Sequence, residues 1–132
     1  EQTNKLSKVA NDSLVNMRQL FPDQSKEQQQ AVIQARIYYL KDQIEKDFGL
    51  MGFTFTEPLP LDLESLLPEL TECIAQLQQN HHGTWMKVVY RVDLTEKQYK
   101  FVQRMGGNTP ENMAKAVVLR EFQKVYTRKH FS

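Results

Sequence analysis

Apolar residues in this chain return every three to four positions, in stretch after stretch along its length. That period is the strongest constraint on the fold, because it places apolar side chains on one stripe of an α-helix, whereas a half-buried strand needs a period of two. The first such stretch is Thr3 to Leu20, where Leu6, Val9, Ala10, Met17 and Leu20 share a face and Leu14 widens it. Phe21-Pro22-Asp23 ends it, since the residue before a proline is pushed out of the α region. The second starts at Asp23 or Ser25, and Ser25 with Gln28 has the spacing of a capping box. Ile33, Ile37, Leu40, Ile44 and Phe48 form its main stripe. Val32, Ala35 and Tyr39 form another, which predicts a helix near the centre of the fold and packed on two sides. Gly49 is its expected terminator.

A third helix is predicted from Asp62 or Ser65 to Asn80, with Leu63, Leu66, Leu67, Leu70, Ile74 and Leu77 facing inward. Ser65 is the preferred cap because it keeps Pro68 inside the first turn, where proline costs least. Thr84 to Val92 satisfies both periods: Trp85, Val88, Val89 and Val92 suit a helix, and Met86, Val88, Tyr90 and Val92 suit a strand. A strand there has only Phe53-Thr54-Phe55-Thr56 to pair with, and two short strands make a marginal sheet, so a helix is expected. Asp93 or Thr95 caps a further helix to Met105, and Gly106-Gly107-Asn108 is a turn. Thr109 as cap, Pro110 as first residue and Glu111 as a first-turn anion open the last helix, which runs to Thr127 or Arg128. Its expected inner face is Met113, Ala114, Val117, Val118, Phe122 and Val125.

The predicted fold class is therefore all-α: one helical domain over residues 1–132, a bundle of about five to six helices. A two-stranded element pairing 53–56 with 86–92 is the alternative for those segments. At 132 residues with 40% apolar and 25% charged side chains, the chain has the composition of an ordinary globular domain. Its fourteen glutamines, bunched at Gln28–Gln30 and at Gln76, Gln78 and Gln79, fit solvated helix faces. No apolar run approaches the roughly 20 residues of a membrane span, so no membrane partner is expected. A single cysteine excludes an internal disulfide framework. The cytoplasm is the expected setting, although the chain begins with Glu1 and not with methionine.

No catalytic constellation is visible, and neither an enzyme nor a cofactor is expected. His81 and His82 are adjacent, so their side chains diverge, and no carboxylate stands three residues before any histidine. Cys73 lies among Leu70, Ile74 and Leu77 and beside Glu69 and Glu72, which predicts a small buried core residue with a raised pKa. Gly106-Gly107-Asn108-Thr109 precedes a helix but lacks a following lysine, so a plain turn explains it better than a phosphate loop.

Charge is the more informative signal. Residues 1–83 hold seven basic and twelve acidic side chains, and residues 84–132 hold ten basic and four acidic ones. Lys97, Lys100 and Arg104 form one basic stripe, and Arg120, Lys124 and Arg128 form a second. Trp85, Tyr90 and Arg91 add residue types enriched at interface hot spots. These nine residues are the candidate binding set. The expected function is a non-enzymatic protein that binds an acidic protein partner through its basic C-terminal helix pair. The alternative is a nucleic-acid-binding module, with 96–128 as a helix-turn-helix. Self-association is a further option.

Overall fold

The computed structural model describes residues 25–131, in which six helices and no strand occur. They are α1 (Lys26–Ala35), α2 (Ile37–Leu50), α3 (Leu63–Asn80), α4 (His82–Val92), α5 (Glu96–Arg104) and α6 (Thr109–Phe131). The helix expected over Thr3–Leu20 lies outside the described residues. Within them the all-α expectation holds, and the ambiguous stretch 84–92 lies in a helix. Residues 53–56 keep the period of two in their burial, with Phe53 and Phe55 half-buried and Thr54 and Thr56 exposed, but they form no strand.

Two helix starts follow from residues three apart. Ser25 N–H donates to Gln28 Oε1 at 2.7 Å and Gln28 N–H to Ser25 Oγ at 3.2 Å, completing the capping box. Thr95 and Gln98 make the same box for α5. Other boundaries differ from the sequence reading. The second helix is broken at Arg36 although no glycine or proline stands there. Two tertiary ties flank the break. The Gln34 amide bridges the Leu61 carbonyl and the Leu63 N–H, and the Arg36 guanidinium lies 5.3 Å from the centre of the Tyr126 ring.

Gly52, not Gly49, terminates α2. Its φ is 100°, the Phe53 N–H reaches back to the Phe48 carbonyl, and Gly52 N–H to that of Gly49. This is a Schellman close, and its usual apolar contact is supplied by the Phe48 and Phe53 rings, 6.2 Å apart.

Asp62, not Ser65, caps α3: its carboxylate accepts from the Ser65 N–H at 3.0 Å and from the Ser65 hydroxyl at 2.7 Å. Pro68 therefore lies beyond the first turn, at a solvent-facing position. The Gln34 bridge and the inward-facing Leu63 and Leu66 hold the earlier start against that cost. Asn108, not Thr109, caps α6 by accepting from Glu111 N–H at 3.1 Å. Asp93 caps nothing downstream; it closes α4 in the left-handed region at φ 71°, with Leu94 N–H bonded to the Val89 carbonyl.

α6 is the central element, packed most extensively on α3, then on α2, and also on α5 and α4. The expected inner residues of α6 are all buried, as are the α2 stripe and Trp85, Val88, Val89 and Val92 of α4. Of the expected second strip, Val32 on α1 is partly buried against the core, whereas Ala35 on α1 and Tyr39 on α2 are exposed, Tyr39 by 46%, so the three do not form a second buried face. No helix of the described residues is long and apolar enough to cross a membrane.

Candidate functional site

The nine candidate residues do not form one surface. Trp85 is fully buried, and its Nε1 donates to the Tyr99 hydroxyl at 3.1 Å, so it belongs to the core and touches no partner. Arg120 turns back onto the end of α4. Its Nε donates to the Asp93 carbonyl at 3.1 Å and its guanidinium lies 2.8 Å from the Asp93 carboxylate. Lys124 points inward, 2.9 Å from Asp47 Oδ2. Arg91 Nε reaches the other Asp47 oxygen at 3.1 Å. The side chain of Arg128 lies outside those described. The basic stripe of the last helix is thus tied into the fold at two of its three positions.

What remains on the surface is the outer face of α5. Thr95 and Gln98 set where that helix starts, and burial of Tyr99 and Val102 against the body of the protein sets which side faces out. Lys97, Lys100 and Arg104 all fall on the solvent side. Lys100 pairs within its own helix with Glu96 at 2.8 Å, and its hydrogen bond and charge lower the Glu96 pKa. Lys97 and Arg104 have no ion pair among the described residues. Tyr90, in the last turn of α4, is 86% exposed, far more than a large aromatic side chain usually is.

The geometry leaves little for a helix-turn-helix. A recognition helix needs a solvent face along its first turns to enter a major groove. Between Thr109 and Val118 only Glu111 and Lys115 of α6 are exposed, and they pair with each other at 3.4 Å. In the turn before α6 the Asn108 side chain already takes the Glu111 N–H of that helix N-terminus.

A cleft of about 440 Å³ separates residues 53–60 from α3, lined by Phe53, Phe55, Glu57, Glu69, Glu72 and Cys73 among others. Cys73 is half-buried at its wall and not a core residue as its register suggested. Burial, then Glu69, then Glu72 push its pKa up, which favours the protonated thiol over the nucleophilic thiolate. Among the described residues no group of three or more His, Cys, Asp or Glu side chains is placed to hold a metal ion.

The pair that sequence reasoning missed is Asp47 and Glu121, two carboxyl side chains with no solvent exposure between α2 and α6. Burial alone would raise the Asp47 pKa. The neighbouring Glu121 carboxyl, the Lys124 ammonium and the Gln43 amide outweigh it and bring it down to about 2. Burial pushes Glu121 up to about 8, with Asp47 adding to the rise and Lys124 opposing it. The signal was present in part: Glu121 stands on the same α6 stripe as Val117 and Val125, where an apolar residue belongs. Comparison with protein-family models, curated proteins and solved structures finds no match.

Proposed function

We propose that this chain is a non-catalytic protein-binding module that engages an acidic surface of a protein partner through the outer face of α5. The observation that carries the reading is the contrast between the two basic stripes. Arg120 and Lys124 are paired with carboxylates of the same chain, Asp93 and Asp47, whereas Lys97, Lys100 and Arg104 stand in solvent on one face. Cations held that way steer an anionic partner to the surface and fix its orientation, and they are strongest at low salt. Tyr90, 86% exposed on α4, is a second proposed contact, since tyrosine buries a large rigid area at little entropic cost. The cytoplasm is the proposed setting, where the one thiol stays reduced.

The test compares two variants in affinity capture from native extract, followed by quantitation of each captured protein. K97Q/K100Q/R104Q should lose the partner by at least about tenfold while melting within about 2 °C of wild type, because exposed charges contribute little to stability. R120Q should keep the partner and lose stability instead. Equal capture by the wild type and the α5 variant removes that face from the argument. Tight binding of random duplex DNA, with a salt dependence that the α5 variant flattens, would replace the protein partner by nucleic acid.

A further inference from the structure

Glu121 occupies a register of α6 that the helical period reserves for the core. Ala114, Val117 and Val125 lie on the same stripe, all buried. Neither Glu121 oxygen makes a well-formed hydrogen bond among the described residues. Lys124 Nζ lies 2.8 Å from Oε1, but its hydrogen bonds go elsewhere, to Asp47 Oδ2 and to the Arg91 carbonyl. Asp47, by contrast, is served on both oxygens, by Gln43 and Arg91 on one and by Lys124 on the other. One carboxyl of the pair therefore has an anion's surroundings and the other does not. A fully buried carboxylate whose one ion-pair partner is shared with Asp47 and which accepts no hydrogen bond is disfavoured there. A proton on Glu121 removes the charge and supplies a donor within reach of Asp47.

We propose that Asp47 and Glu121 are a one-proton carboxyl pair that latches α6 onto α2, closed while Glu121 holds its proton and released as rising pH removes it. Three other groups face the pair: Gln43 from α2, Arg91 from α4 and Lys124 from α6. The ion pairs described on α5 and at the start of α6 lie elsewhere, between Glu96 and Lys100 and between Glu111 and Lys115. The Arg91 side chain is 43% exposed, so water screens much of its charge. Among the described residues Lys124 is then the one cation paired with both carboxyls, 2.9 Å from Asp47 and 2.8 Å from Glu121, and its hydrogen bond goes to Asp47. Burial raising the Glu121 pKa to about 8 agrees with this geometry. The sign follows. Between the unfolded glutamate value near 4.3 and about pH 8, the folded chain binds more protons than the unfolded one, so stability is full below that window and falls as pH rises through it.

The test is a carbon-13 titration of the glutamate carboxyl groups in the wild type, with urea midpoints and amide protection factors of wild type and E121Q from about pH 5 to pH 9. Glutamine keeps a donor for Asp47 and has no proton to lose. One glutamate carboxyl should titrate at least about two pH units above the rest, its signal absent from E121Q. The wild-type midpoint and the protection of residues 118–126 should fall across the window, and those of E121Q should stay level. A wild type in which every glutamate titrates below about pH 6 overturns the proposal, and this holds even where E121Q does not fold. Parallel midpoint and protection profiles for the two proteins overturn it as well.

Discussion

Replacing Asp47 by alanine should be the most damaging single change of a charged residue described above. Its carboxylate has no exposure and accepts from Gln43 at 3.0 Å, Arg91 at 3.1 Å and Lys124 at 2.9 Å. Removing one member of a buried ion pair typically costs about 3–5 kcal/mol, because the partner charge is left uncompensated. Two features of the site set where in that range the loss falls. The Arg91 side chain is 43% exposed and recovers water. Lys124 retains Glu121 at 2.8 Å, which can ionise and replace the lost anion. The expected loss is therefore at the lower end, about 3 kcal/mol in urea unfolding at pH 7, or a fall in Tm of about 10 °C. The same variant should change the acid side of the stability profile. Asp47 is lowered to about 2, so the folded chain binds its proton later than the unfolded one. The stability it contributes is present above about pH 4 and lost as pH falls toward 2 in the wild type. D47A should lack that limb. A loss below about 1 kcal/mol with the acid limb intact would refute the account of Asp47 as the anion that joins α2, α4 and α6.

Three further outcomes are expected. Pro68 removes a hydrogen bond to the Glu64 carbonyl beyond the first turn of α3 and faces solvent, so P68A should raise stability by about 1–2 kcal/mol, read from its urea midpoint. Asp93 holds a left-handed φ of 71° and anchors Arg120. D93A keeps the strain and loses the anchor, so it should cost about 1–2 kcal/mol, whereas D93G relieves the strain and should lie within about 1 kcal/mol of wild type. Because Cys73 is half-buried with a raised pKa, C73A should cost about 1 kcal/mol or less. Native labelling of its thiol should be slow at neutral pH and accelerate as pH rises; fast labelling at pH 7 would contradict the acidic surroundings of Glu69 and Glu72.

What the sequence by itself determined is what short range controls. The Ser25–Gln28 and Thr95–Gln98 boxes join residues three apart, and the inner faces of α2, α3, α4 and α6 repeat within one or two turns. Local spacing settles such features whatever the chain does elsewhere. The helix at 84–92 sits at the edge of this domain: both periods were present, and the absence of a partner strand favoured the helix. Tertiary structure decided the rest. The Gln34 bridge fixes the start of α3 from 29 residues away. Lys124 meets Asp47 across 77 residues, Arg91 meets it across 44, and Arg120 meets Asp93 across 27. A lysine spaced four residues from an arginine looks the same in sequence whether its face turns to water or to a buried carboxylate. That choice belongs to helix packing, which placed α6 at the centre of the fold, turned Arg120 and Lys124 onto carboxylates of the same chain and left Lys97, Lys100 and Arg104 in solvent on α5.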